Sequence, residues 1–267
     1  MIDLHSHILP GVDDGAHDLA AALAMARMAV ADGIQVMACT PHFMPGMYDN
    51  ESNDIRQRVA SLQKSLLEAN INLSLVVGSD AHIRPDFLSC LRDGKILRLN
   101  DSRYVLFEPP HNIAPQRLDD LLFNITVAGY VPVLTHPERL KWIEQQFPLM
   151  ESLVKAGVWM QITTGSLTGR FGSRPKYWAD RMLASGMVRI LASDAHNITS
   201  RPPIMSEAFS IAEAELGLDE ARNLVLVRPA NILDDEPAEK SPLILIAEKT
   251  QVSPPSRWRR LFMGVNR

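Results

Sequence analysis

The sequence predicts an α/β protein organised around a parallel sheet, and three observations carry that expectation. Seven short apolar runs of strand length recur along the chain. Between them lie stretches whose apolar residues return every three or four positions, as in helices that cover one face of a sheet. Four times a helical pattern ends at a glycine and a strand pattern begins at once, a junction typical of repeated βα units.

The strands are expected at Met1 to Leu4, Ile34 to Cys39, Leu73 to Val77, Tyr104 to Phe107, Val131 to Leu134, Val158 to Ile162 and Val188 to Ala192. Ile55, Val59, Leu62 and Leu66 form one helical stripe, and Leu118, Leu121, Leu122 and Ile125 form another. The repeated junctions read Ala31-Asp32-Gly33-Ile34, Val127-Ala128-Gly129-Tyr130, Lys155-Ala156-Gly157-Val158 and Ala184-Ser185-Gly186-Met187. Glycine suits the residue just past a helix, where a left-handed backbone is often needed. With 267 residues, 46% of them hydrophobic, the chain can form one large α/β barrel or two small domains.

After about Asp235 the strand and helix rhythm stops. The expected division is a domain over 1–235 and a partly ordered tail over 236–267. The tail carries Leu243 to Ala247, Pro254-Pro255 and a basic end at Trp258-Arg259-Arg260-Leu261-Phe262. A net charge of −4 gives no strong pull toward nucleic acid. No apolar run approaches the ~20 residues needed to span a bilayer, and the opening residues lack a signal sequence, so a cytoplasmic protein is expected. Cys39 and Cys90 cannot build a disulfide framework or a thiolate zinc site. Six positions beyond each stands Pro45 or Ile96 rather than the arginine of a cysteine-loop phosphatase.

Chemistry concentrates at the strand ends. His5-Ser6-His7 follows the first strand, with Asp13 and Asp14 in the next loop. Thr40-Pro41-His42 follows the second and Ser79-Asp80-Ala81-His82 the third. Glu108 follows the fourth, Thr135-His136-Pro137-Glu138-Arg139 the fifth, and Ser193-Asp194-Ala195-His196 the seventh. In a barrel all strand C-terminal ends converge on one face, so ligands distant in the chain become neighbours. Imidazole mixed with carboxylate suits Mn, Fe or Zn, and several carboxylates beside many histidines indicate more than one ion. Paired metals activate water and clamp the oxygens of a phosphoryl transfer, so phosphoester hydrolysis is the expected chemistry. Arg139 and Arg201 are placed to reach the same rim and grip phosphate oxygens.

The segment from Met1 to Gly15, reading Met-Ile-Asp-Leu-His-Ser-His-Ile-Leu-Pro-Gly-Val-Asp-Asp-Gly, resembles the opening of the metal-dependent protein-tyrosine phosphatases of bacterial capsule and exopolysaccharide loci. These belong to the PHP (polymerase and histidinol phosphatase) superfamily. Thr40-Pro41-His42, Phe107-Glu108, Thr135 to Arg139, Ala192 to Asn197 and Arg201-Pro202-Pro203 are similar as well, and the resemblance runs to about Leu233. It implies a distorted seven-stranded βα barrel with a trinuclear site, usually described with manganese. His5, His7 and Asp194 would then hold one metal. Glu108 and His136 would hold a second, with residue 80 bridging the two, and Asp14, His42 and His196 would hold the third. Arg139 and Arg201 would contact the phosphate.

Position 80 departs from that pattern, carrying Asp where Glu is usual, so a shorter side chain must bridge or share the task with His82. The resemblance further implies a phosphotyrosine protein as partner, the tail of a bacterial tyrosine kinase controlling polysaccharide polymerisation. Alternatives are a phosphatase of a small metabolite such as histidinol phosphate and a non-catalytic metal-binding regulator. An amidohydrolase is more distant: those barrels also begin with His-x-His but commonly place a lysine after the fourth strand, where this chain has Glu108.

Overall fold

The computed structural model describes residues 1–242. The apolar run after Pro242 and the basic end of the predicted tail lie outside the described residues. In chain order the elements are β1 (Ile2–Ser6), α1 (Leu19–Ala31), β2 (Val36–Cys39), β3 (His42–Phe43), α2 (Ser52–Glu68), β4 (Ser74–Val77), β5 (Asp80–His82), α3 (Phe87–Arg92), β6 (Tyr104–Glu108) and α4 (Leu118–Val127). There follow β7 (Val131–Thr135), α5 (Ile143–Lys155), β8 (Trp159–Thr163), α6 (Thr164–Leu167), α7 (Ser173–Ala184), β9 (Val188–Ala192), α8 (Ser206–Leu216), α9 (Leu218–Arg222), a π turn at Asn223–Val227 and α10 (Arg228–Leu233). No helix among the described residues is long and apolar enough to cross a membrane.

The strands pair in parallel throughout, in a three-stranded sheet ordered β1-β2-β4 and a six-stranded sheet ordered β3-β5-β6-β7-β8-β9. This modifies the expected seven-stranded barrel: the two sheets are not joined into one continuous closed ladder. β2 and β4 fall within the second and third predicted runs, and each is followed after a short break by an additional strand, β3 or β5, in a segment expected to lie beyond the strand end. Pro41, which lacks an N–H, and Gly78 stand at these breaks. Between the sheets, β1 touches the end of β9 through a parallel bridge, Ser6 opposite Ala195. Asp194 N–H donates to His5 C=O at 2.9 Å, and His7 N–H donates to Ala195 C=O at 2.8 Å.

Burial on both faces explains why the strands read as unbroken apolar runs. Val105, Phe107, Leu134, Met160 and Ile162 join the large core beneath the helices, with the α2 stripe Ile55, Val59, Leu62 and Leu66. Tyr104, Leu106, Val133, Trp159 and Ile190 form a second, inner cluster with Leu4 and Ala38. Along that inner face the chemistry changes with height, as Tyr104 and Leu106 give way to Glu108, Val133 to Thr135, and Trp159 to Gln161. The apolar lower rows fill the interior, and the upper rows place polar groups at the strand ends. Glycine closes the four predicted junctions, with positive φ from +66° at Gly186 to +94° at Gly157.

Candidate metal centre

Each predicted ligand arrives at the same end of the strands. β1 carries His5, and His7 follows it by one residue; the next loop brings Asp14. His42 opens β3 and Asp80 opens β5, two strands too short to announce themselves by alternation. Glu108 closes β6, His136 follows β7, and Asp194 and His196 follow β9. His136 (φ +34°) and Asp194 (φ +52°) both hold a left-handed backbone uncommon for side-chain-bearing residues, a conformation that aims them into the mouth.

The donor atoms face one another at closely similar spacings. His5 Nε2 lies 3.2 Å from His7 Nε2, 3.5 Å from Asp80 Oδ2 and 3.6 Å from Asp194 Oδ1. His42 Nδ1 lies 3.4 Å from both Asp80 Oδ2 and Glu108 Oε2, and its Nε2 lies 3.5 Å from Asp14 Oδ1. His196 Nε2 is 3.3 Å from that same Asp14 oxygen. His136 Nε2 stands 3.6 Å from Glu108 Oε1. Donors held ~2.1 Å from a common ion lie about 3.0 to 3.5 Å from each other, so these spacings match a shared coordination sphere. Two further features fit a metal. Asp80 Oδ2 and His196 Nε2, both facing other donors, are buried without a hydrogen bond of acceptable geometry.

In His5, His7 and His196 the opposite ring nitrogen is anchored, which leaves Nε2 free to ligate. His5 Nδ1 meets Gln161 Oε1 at 2.9 Å, His7 Nδ1 meets Asp13 Oδ2 at 2.7 Å, and His196 Nδ1 meets the Asp194 carbonyl at 3.0 Å. Asp13 also accepts the His42 N–H at 3.1 Å. Gly15 allows this loop to fold back on His7: a Cβ there would stand 2.0 Å from the His7 carbonyl oxygen.

Electrostatics keep the carboxylates ionised. Burial opposes the charge of Asp194, but Arg201 and His5 outweigh it and hold the group well below the usual carboxylate range. Burial and Glu108 oppose the charge on Asp80, and His5 and His42 overcome them. The nearby imidazoles of His196 and His42 lower Asp14 strongly. Among the imidazoles, burial disfavours the charged ring of His5, yet Asp80 and Asp194 push it up to about 9. Burial, helped by Arg139, drops His136 to about 3, and burial with the His7 charge drops His196 to about 4. Neutral His136 and His196 therefore offer lone pairs directly, whereas a metal would displace the proton of His5.

Both predicted arginines reach the cluster by way of one carboxylate. Arg139 donates to Asp194 Oδ2 at 2.5 Å and Arg201 to the same oxygen at 2.6 Å. Arg139 also lies over the Phe171 ring, 4.9 Å from its centroid. His82 sits at the rim, with Nδ1 3.6 Å from Glu108 Oε2.

Four residues here were not assigned from sequence. His111 Nε2 lies 3.3 Å from Glu108 Oε1 and groups with Glu108 and His136 as a third donor. Its position three residues past Glu108 was the available signal. Asp13 and Gln161 orient imidazoles, and the buried Glu138 accepts from Ser166 Oγ at 2.7 Å and from Thr163 N–H at 3.1 Å, fixing the turn that carries Arg139. Burial pushes the Glu138 carboxyl up to about 7 against those hydrogen bonds.

A parallel α/β scaffold with a buried imidazole and carboxylate cluster at its strand ends defines a class of metal-site proteins, and comparison narrows it. A family model described as capsular polysaccharide synthesis, CpsB/CapC, matches residues 1–234, and the chain belongs to that family. It is 38% identical over 217 residues to the tyrosine-protein phosphatase YwqE of Bacillus subtilis (strain 168), covering 81% of this chain and 85% of the relative. It is 30% identical over 241 residues to the tyrosine-protein phosphatase CpsB of Streptococcus pneumoniae, covering 88% and 99%. A solved structure from work on YwqE and CpsB, described as unique metal-dependent tyrosine phosphatases, superposes with a TM-score of 0.85 at 36% identity over 89% of this chain and 96% of that one. A β-aspartyl dipeptidase from Fervidobacterium islandicum shares the fold alone, with a TM-score of 0.54 at 15% identity.

Proposed function

We propose that this chain is a metal-dependent protein-tyrosine phosphatase that hydrolyses phosphotyrosine, with the tail of a bacterial tyrosine kinase of capsule or exopolysaccharide synthesis as its partner. The observation that carries the reading is the donor cluster, with Asp80 and Asp194 at its centre and two arginines on Asp194, in a chain whose relatives are named tyrosine phosphatases. His5, His7 and Asp194 would hold one divalent ion, and Glu108 with His136 a second. Asp80 would lie between them, and Asp14, His42 and His196 would hold a third. Manganese is the ion we favour, with iron or zinc as the other fits to imidazole and carboxylate donors. When bound, such ions supply Lewis-acid polarisation and activate water at neutral pH.

The chain's own residues do the rest. Arg139 and Arg201, each partly exposed, turn from Asp194 toward an incoming phosphoryl group and neutralise its oxygens as charge builds in the transition state. Asp13 and Gln161 hold the imidazoles in register. A phenolate leaving group needs less protonation than an alkoxide, because its conjugate acid has a pKa of ~10. We further infer that the two sheets work as one distorted seven-stranded barrel, supported by the Ser6 and Ala195 bridge and by the alignment of β2 with β3 and of β4 with β5. In this reading residues 1–235 form the phosphatase domain, 236–267 a tail, and the protein acts in the cytoplasm.

Clefts flank the mouth on both sides. One of about 590 Å³ is lined by Gly15, His17, Asp18, His196 and Ile198, and one of about 190 Å³ by Met44, His82 and Arg84. Space on either side of the donors favours a polypeptide over a small metabolite. The test is kinetic: manganese-loaded protein should turn over a phosphotyrosine peptide with a higher kcat/KM than histidinol phosphate. The reverse order would make the metabolite the substrate, and no turnover of either would leave a metal-binding regulator.

A further inference from the structure

One wall of the mouth is an aromatic hairpin that the donor set does not use. Tyr48 N–H donates to the Met44 carbonyl at 2.8 Å, and Met44 N–H returns to the Tyr48 carbonyl at 3.3 Å. Gly46 turns the chain at φ +90°, where a side chain would be strained, and its N–H binds Asp49 Oδ1 at 2.8 Å. The base is latched by Asn50, whose amide donates to the carbonyls of His42 at 2.8 Å and Val12 at 3.3 Å. This frame holds the half-buried Tyr48 ring nearly parallel to the His42 imidazole, with centroids 5.5 Å apart and an interplanar angle of 18°.

The hydroxyl of Tyr48 makes no hydrogen bond among the described residues, so its place at the mouth offers ring area rather than a polar contact. The arginines contact Asp194, not His42 or Tyr48. From Arg139 and Arg201 the contacts run through Asp194 to His7, from His7 to His42 at 4.5 Å between rings, and from His42 to Tyr48. Tyr48 and the two arginines thus stand at opposite ends of this chain of contacts, with metal-type donors between them.

We propose that Tyr48 is a specificity-determining residue whose ring packs against the phenyl ring of the phosphotyrosine leaving group, favouring aryl over alkyl phosphate esters. The inference rests on the phosphatase reading given above. An aryl ring has a flat face to offer an aromatic partner, whereas the single methylene of phosphoserine has none.

Tyr48→Ala and Tyr48→Phe, both loaded with manganese, provide the test. For Tyr48→Ala, kcat/KM on a phosphotyrosine peptide should fall about three- to tenfold, and the affinity for a non-hydrolysable phosphonate analogue of that peptide should fall in parallel. Manganese stoichiometry and inhibition by inorganic phosphate should stay at wild-type values, and Tyr48→Phe should behave as wild type. The inference is overturned by unchanged kinetics in Tyr48→Ala, by equal loss in Tyr48→Phe, which would assign the effect to the hydroxyl, or by a parallel loss of metal or phosphate binding, which would make Tyr48 a prop for His42. A wild-type protein that ignores the peptide overturns the phosphatase reading and this inference with it.

Discussion

Near the start of β9 the buried guanidinium of Arg228 meets Glu220 in a two-pronged pair, at 2.7 Å and 3.0 Å, and donates to the Pro242 carbonyl at 3.1 Å. Asn223 completes the carboxylate from the side at 3.1 Å. At the other end of the same strand Asp194 takes two arginines on one oxygen and faces three imidazoles with the other, while Asp80 and Glu108 crowd a fourth imidazole between them. Both regions withdraw charge from water, which is costly unless each group is matched. At the floor, cation and anion match fork to fork. At the mouth, carboxylates repel one another and Asp80 Oδ2 and His196 Nε2 lack a hydrogen bond of acceptable geometry. A protein that resolves buried charge fully in one place and leaves it crowded in another reserves the second place for a ligand.

The largest expected effects separate the two ends. Chelation should abolish turnover and lower the melting temperature by removing a ligand of the native state, with the far-ultraviolet circular dichroism preserved at 25 °C. Asp80→Asn should reduce metal stoichiometry and cut turnover by more than about 100-fold. Glu220→Gln should do the opposite, costing about 3–5 kcal/mol of stability by removing the negative charge from the buried two-pronged pair with Arg228, with turnover per folded molecule unchanged. Denaturant melts and metal analysis of both variants check the contrast. Equal stability losses with retained metal would dissolve the distinction between floor and mouth.

A sharper comparison sets arginine against arginine. Arg139→Ala and Arg201→Ala should each lower kcat by about 10²- to 10³-fold, the scale of losing one donor to transition-state charge, without emptying the metal site. Arg228→Met should leave kcat alone and lower stability. Metal content is the control, and unchanged kinetics in both mouth variants would return Arg139 and Arg201 to a purely structural ion-pair role with Asp194.

How far these differences were legible from sequence follows from what each residue type signals. The mouth was written in the placement of His5, His7, Glu108, His136 and His196 after apolar runs, because strand ends convert sequence spacing into spatial convergence. Helix stripes such as Ile55 to Leu66 and the junction glycines were equally readable, being local. The floor was not. Glu220 and Arg228 are eight residues apart across a π turn, and nothing in their spacing distinguishes a buried fork from a solvated pair. β3 and β5, of two and three residues, are too short to carry a period, so these two additional strands and the division into two sheets could not be foreseen. Gln161 was hidden as one polar position in an apolar run, and its meaning appears only when His5, 156 positions away, lies against it.

The smallest expected effect lies within the mouth itself, where Ser79-Asp80-Ala81-His82 repeats the pattern of Ser193-Asp194-Ala195-His196. Equivalent spelling would make His82 a ligand as His196 is proposed to be, but the surroundings differ. His196 is 3% exposed and faces Asp14, whereas the His82 side chain is 22% exposed at the rim, beside Glu108 alone among the carboxylates. Asp80 is fully buried with Oδ2 between His5 and His42, a central position that its short side chain reaches because β5 starts at this residue. His82→Ala should therefore leave metal stoichiometry intact and lower kcat/KM by less than about threefold, within the range of a surface substitution. Asp80→Glu should keep its metal with or without His82, as the double variant combining Asp80→Glu with His82→Ala would reveal. Loss of one metal equivalent in His82→Ala alone would make the two Asp-x-His segments true equivalents, with His82 sharing the ligand task that we assign to Asp80.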